Sequence, residues 1–147
     1  MKKKNKILIL LSSLAFVAAV FLILNQNTAE PDEQAKVREY ADPVAEKILQ
    51  SFNNGDYSQF SETFSETMKS SIPNSLFLEN RDMVIAKVGE YVSKEFYRQE
   101  EEGFYQYVYY KADFSNEEDV SVLVIFEEIK GEMKVSGLWL DSPKIRE

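Results

Sequence analysis

Any chemistry in this chain must come from carboxylates, phenols, hydroxyls and amides, because its 147 residues include no cysteine and no histidine. Thiol nucleophiles, thiolate metal sites, disulfides and the commonest general base are therefore excluded. No Ser-x-x-Lys pair is present to activate a serine, and the five glycines stand apart at positions 55, 89, 103, 131 and 137, so no phosphate-cradling loop is encoded. The densest group of oxygen ligands is "ADFSNEED", Ala112 to Asp119. Carboxylates and amides of that kind suit calcium, but the alternating Asp-x-Asp-x-Asp-Gly order is missing. A second acidic turn, "QEEEG" at Gln99 to Gly103, has the same character. Both read as solvated hairpin ends that discourage edge-to-edge strand pairing. No metal and no other cofactor is expected.

The tyrosines are the other group with chemical weight. The stretch "YQYVYYK", Tyr105 to Lys111, holds four of the chain's eight. In a strand, alternate residues face opposite sides. One side then carries Phe104, Gln106, Val108, Tyr110, Ala112 and Phe114, and the other Tyr105, Tyr107 and Tyr109. Extending the first set gives Val120, Val122, Val124 and Phe126, then Met133, Val135 and Trp139, as a core face. The second set continues through Leu123, Ile125, Leu138 and Leu140, which is too apolar for a sheet face bathed in water. The expectation is an interaction surface of Tyr105, Tyr107, Tyr109, Leu123, Ile125 and Leu138, since tyrosine buries area while keeping a polar tip. Against it stands the plain strand propensity of tyrosine.

The elements that must position these residues follow from periodicity. Val37, Ala41, Val44, Ile48 and Phe52, with Leu49, form a helical stripe, and "NNGD" at Asn53 to Asp56 ends it. Asp42-Pro43 inside that stripe could mark a break or a restart. A second stripe of Tyr57, Phe60, Phe64, Met68 and Ile72 predicts one helix ended by Pro73, and a third helix is expected over about residues 79–88, stopped by Gly89. From Tyr91 the period becomes two, which predicts strands at about 91–100, 104–114, 120–128 and 132–140. Short turns make neighbouring strands antiparallel. Helices followed by a meander is an α+β plan, with helices on one face of a curved four-stranded antiparallel sheet.

Ahead of this lies "MKKKNK" and then an uncharged run from Ile7 to Leu24. As a helix of 18 residues it would reach about 27 Å, against a hydrocarbon core of about 30 Å. The reading is a signal anchor over residues 1–24, with a cleaved signal peptide and secretion as the alternative. Four lysines before the run place the amino terminus in the cytoplasm and the domain outside a single-pass cell-membrane anchor. Residues 25–35 read as a polar tether, 36–142 as the domain and 143–147 as a tail. Subtracting the +4 of the first 29 residues from the chain's −8 leaves −12 for residues 30–147, which makes nucleic acid a poor partner.

The element order, together with "DPVAEKILQSFNNGDYSQFSETFSETMKSSI" at Asp42 to Ile72, resembles the cone-shaped nuclear transport factor 2-like superfamily, and within it the uncharacterised exported prokaryotic members. The resemblance covers about residues 36–142. It implies a cone whose interior can hold a ligand, and pairing of copies through their sheets. It also implies catalytic Asp, Tyr or His residues inside the cone in the superfamily's enzymes. None of those matches position by position here. The residues left to line such an interior are Tyr57, Gln106 and Tyr110, with Trp139 on the same side, each also readable as a core residue with a satisfied polar tip. The expected function is a membrane-tethered extracytoplasmic binding or interaction module, with its ligand or partner protein unspecified, that forms a homodimer through the sheet face. The alternative is a small-molecule-binding domain or an enzyme using the cone interior; enzymatic activity is the less favoured expectation.

Overall fold

The computed structural model describes residues 30–147. The anchor or signal over residues 1–24, and residues 25–29 of the tether, lie outside the described residues. No helix among the described residues is long and apolar enough to cross a membrane.

Helix α1 runs from Pro31 to Asn54. It therefore begins inside the stretch read as a tether. Pro31 supplies the preset φ of a first helical residue, and Asp32 and Glu33 set negative charge in the first turn, where the backbone dipole favours it. Pro43 does not break the helix. Val37 and Ala41 before it and Ala45, Ile48, Leu49 and Phe52 after it are all buried on one stripe, so packing on both sides offsets the lost hydrogen bond.

The single helix expected over 57–72 is two short ones, α2 at Tyr57–Ser61 and α3 at Glu66–Ser71. Between them the chain turns at Glu62 and Thr63, Phe64 N–H donating to Ser61 O at 3.1 Å, and Phe64 then forms a single bridge to Val135. Ser65 N–H donates to the Val135 carbonyl at 2.9 Å and Val135 N–H donates to Thr63 O at 2.8 Å, so this segment pairs with the last strand of the sheet. Asp56 caps α2 by accepting from Gln59 N–H, and Ser65 caps α3 by accepting from Met68 N–H. Phe60 and Phe64 stay on the core side of the break, their ring centroids 4.8 Å apart.

Helix α4 spans Asn74–Val88, starting right after Pro73 and earlier than expected, because Phe77 is buried and extends its apolar face. Arg81 on this helix donates from Nε to Phe52 O at 2.7 Å and from Nη2 to Asn53 O at 3.1 Å, satisfying carbonyls at the end of α1. Asn53 in turn grips the first strand through both backbone groups of Tyr91.

Strands β1 (Tyr91–Glu102), β2 (Tyr105–Phe114), β3 (Glu117–Ile129) and β4 (Glu132–Asp141) form an antiparallel sheet in sequence order, and a one-turn helix α5 follows at Pro143–Arg146, within the stretch read as a tail. The helices pack against one face. Val108, Tyr110, Ala112, Phe114, Val120, Val122, Val124, Phe126 and Val135 meet the helical stripes in one core, as the alternation predicts. Phe60 and Phe77 stack at 4.3 Å in its helical half. Phe104 departs from the expected core face: it sits in the β1–β2 turn and is 91% exposed.

One register irregularity changes the faces of β4. Ile125 pairs with Gly137, but Phe126 pairs with Val135, so Ser136 is an extra residue in the strand. Because side chains alternate, one inserted residue exchanges the two faces beyond it. Met133 and Val135 remain on the core side. Leu138 and Leu140 then join that side, opposite Val124 and Val122, and Trp139 turns to the outer face opposite Leu123.

Candidate functional site

The four residues expected to line an interior pocket do not converge. Tyr57 packs on Phe60 and Phe77, and its hydroxyl donates to Ile72 O at 2.8 Å. Gln106 donates from Nε2 to Glu100 O at 3.0 Å. Tyr110 is 1% exposed and donates to Asp42 Oδ1 at 2.8 Å. Trp139 lies on the opposite face, 67% exposed, a correction forced by the Ser136 insertion. Each interior candidate is thus spent on a bond within the domain.

What the helix-facing side holds instead is a seam of phenol–carboxylate pairs. Arg38, Asp42 and Glu46 recur every four residues on α1 and share one flank of its apolar stripe. Asp42 accepts from Tyr110 and from Arg38 Nε, the latter at 3.0 Å. Glu46 accepts from the Tyr91 hydroxyl at 2.7 Å and lies 3.5 Å from Lys94 Nζ. The Arg38 guanidinium sits 4.8 Å from the centre of the Phe96 ring, and Lys94 Nζ 5.2 Å from that of Tyr110. Burial, and then the hydrogen bond to the neighbouring carboxylate, push the Tyr110 and Tyr91 phenols well above the ordinary tyrosine value. Burial and the nearby Glu101 charge push Tyr40 up to about 12. Phenols held this firmly protonated are hydrogen-bond donors at neutral pH, and through them the seam ties α1 to β1 and β2. Sequence reasoning passed over Asp42, Glu46, Tyr91 and Lys94; the four-residue spacing beside the stripe was the available signal. Gln99, 7% exposed on the same side, is the one buried side chain among the described residues with an unpartnered oxygen, its Oε1.

The outer face is built differently. Across the sheet, one row reads Arg98, Tyr109, Leu123, Trp139 and the next Glu100, Tyr107, Ile125, Gly137. Charged residues flank these rows: Glu95, Lys111 and Asp141 on one side, and Glu102, Glu127 and Lys134 on the other. Of the expected interaction surface, Tyr105, Tyr107, Tyr109, Leu123 and Ile125 are brought together here. Leu138 is not, since it faces the core. Trp139 takes its place. The Arg98 guanidinium lies 3.8 Å from the centre of the Tyr109 ring, and the Tyr109 hydroxyl donates to Glu100 Oε2 at 3.3 Å. Gly137 fits its position because a Cβ there would meet Ile125 Cδ1 at 2.9 Å, so Ile125 lies across the glycine.

Where the bulge and the start of α3 come together at the β4 side, the outer face dips into an open groove of about 530 Å³. Tyr105, Tyr107, Ile125 and Glu127 form its sheet wall, Ser136 its bulged corner, and Ser65 and Thr67 the opposing side. Among the described residues no group of three or more carboxylates is placed to hold a metal ion.

A family model for DUF3887, a protein of unknown function, matches residues 45–138. The chain belongs to that family. The match runs from the middle of α1 to Leu138 in β4, taking in Tyr91, Tyr110 and the tyrosines of the outer face. No curated protein and no solved structure matches the chain.

Proposed function

We propose that this chain is a membrane-tethered, extracytoplasmic interaction module of the nuclear transport factor 2-like kind, and that it self-associates through the outer face of its sheet. The tether and the outward orientation rest on the lysine-flanked apolar run at residues 7–24, and the superfamily assignment on the element order and the "NGDY" break. The observation that carries self-association is the exposed Trp139 beside Leu123 and Tyr109, a large aromatic that the bulge brings onto an already apolar face. Tryptophan and tyrosine are among the residue types that dominate interface energies, and here they share a face with a charged rim. The rim carries both signs, with Lys111, Lys134 and Arg98 among acids, so a copy turned about a two-fold axis can set base against acid. The rival, a ligand inside the cone, finds less support: Tyr57, Gln106 and Tyr110 are all engaged within the domain.

Sedimentation velocity of residues 30–147 is the test. A dimer is expected, and Trp139→Asp combined with Leu123→Ser should turn it into a monomer that still unfolds in one cooperative transition. A domain that sediments as a monomer at millimolar concentration would sink the idea.

A further inference from the structure

The groove takes in part of the second aromatic row, Tyr107 and Ile125, and adds polar groups to it. Tyr105 and Tyr107 are alternate residues of β2, about 7 Å apart along the strand, so both phenols leave the same face, and both line the groove. The hydroxyls of Tyr105, Tyr107 and Thr67 and the carboxylate of Glu127 make no hydrogen bond or ion pair among the described residues, and Lys134, opposite Glu127 in register, pairs with Glu132 at 3.0 Å. Ser65 Oγ accepts from Met68 N–H and keeps its own proton to donate. Aromatic surface and unengaged hydrogen-bonding groups thus border the same open space.

We propose that this groove binds a neutral pyranose saccharide. A pyranose has an apolar C–H face and a periphery of hydroxyls, each both donor and acceptor. The two phenol rings offer a platform for the face, while Glu127, Thr67 and Ser65 meet the periphery. The lining carries no lysine or arginine, and the domain bears −12, so a phosphate or an acidic sugar finds no counter-charge. A quaternary ammonium ion needs rings that enclose it. The lining holds two aromatic residues, both from one strand, which are too few to enclose a cation. This site shares Tyr105, Tyr107 and Ile125 with the outer face but not Tyr109, Leu123 or Trp139, on which the self-association reading rests, so Trp139→Asp separates the two.

The experiment is saturation-transfer NMR on the full chain in a polyoxyethylene detergent, which contains no sugar, with cellotetraose and chitotetraose as probes. It is run on the parent and on Trp139→Asp, so that loss of pairing and loss of sugar binding are read independently. Transfer to sugar ring protons is expected in both. Tyr107→Ala should weaken binding about tenfold, as the loss of one stacking surface. Glu127→Gln combined with Thr67→Val, which leaves the rings in place, should weaken it severalfold. The proposal is overturned by an absence of transfer from either probe. It is equally overturned by transfer that persists in a Tyr105→Ala, Tyr107→Ala chain melting like the parent, or by tetramethylammonium displacing the sugar.

Discussion

Tyr110 shows how a residue that reads as a pocket candidate in the sequence is tied into the fold by its setting, and Tyr91 repeats the arrangement. A phenol in an apolar interior suggests acid–base work until its hydroxyl is seen donating to Asp42 or Glu46. The pH dependence follows from the direction of the shift. In the unfolded chain a tyrosine ionises near its ordinary value of 10.0, whereas in the fold Tyr110, Tyr91 and Tyr40 ionise higher. Below about pH 10 both states are protonated and the full stabilisation is present; above it the unfolded chain ionises first, and stability is lost as the pH rises. Thermal melts at pH 9 and 11 should therefore show a fall that is smaller in Tyr110→Phe, a variant costing about 1 to 2 kcal/mol at neutral pH. An equal fall in the variant would refute the assignment. Gly89 is the sharpest case of a residue fixed by its place. Its φ is +84°, and a Cβ would stand 2.0 Å from Ser115 Oγ, the atom that accepts from Glu90 N–H. Gly89→Ala should cost at least about 2 kcal/mol in urea unfolding, from left-handed strain and displacement of Ser115 together.

Among the elements, the joint between α1, α4 and β1 turns on Arg81, whose guanidinium is bonded to two carbonyls at the end of α1. Arg81→Ala should lower stability by about 2 kcal/mol, since a charged donor is removed from carbonyls with few other partners, while Arg81→Lys recovers only part of it. Equilibrium unfolding of the two variants decides this; equal stability of the alanine variant and the parent would remove Arg81 from that role. The elements also show what was legible from sequence. Strand positions and the core face of β2 and β3 were readable because Val120, Val122, Val124 and Phe126 alternate without interruption. The start of α1 was missed because residues 31–35, PDEQA, show no apolar periodicity, and only Pro31 and the two acids behind it mark a helix. The break after α2 was invisible because Phe60, Phe64 and Met68 keep helical spacing whether or not the chain unwinds between them. The exchange of Leu138 and Trp139 came from one extra residue, Ser136, which leaves no trace in an apolar pattern except the neighbouring Gly137, a residue that often accompanies a bulge. The candidate surface was therefore readable to five of its six residues, and its most exposed aromatic was assigned to the wrong side.

At the scale of the molecule, charge and apolar surface pull against each other in any pairing of two copies. Each domain from residue 30 onward carries −12, while the rows through Tyr109, Leu123 and Trp139 present an apolar contact. At about 0.01 M salt the screening length is about 30 Å, so whole domains repel before their faces meet; at about 0.15 M it is about 8 Å and that repulsion is largely gone. Burial of aromatic surface is little affected over the same range. The dissociation constant of the residue 30–147 dimer should therefore fall severalfold between those salt concentrations, as read by sedimentation equilibrium at each. Contacts dominated by rim pairs such as Lys134 with an acid of the other copy would show the reverse, because screening weakens attraction between opposite charges as it does repulsion. A dissociation constant that rises with salt would thus move the interface from Trp139 to the rim, and Lys134→Glu would then disrupt it where Trp139→Asp does not.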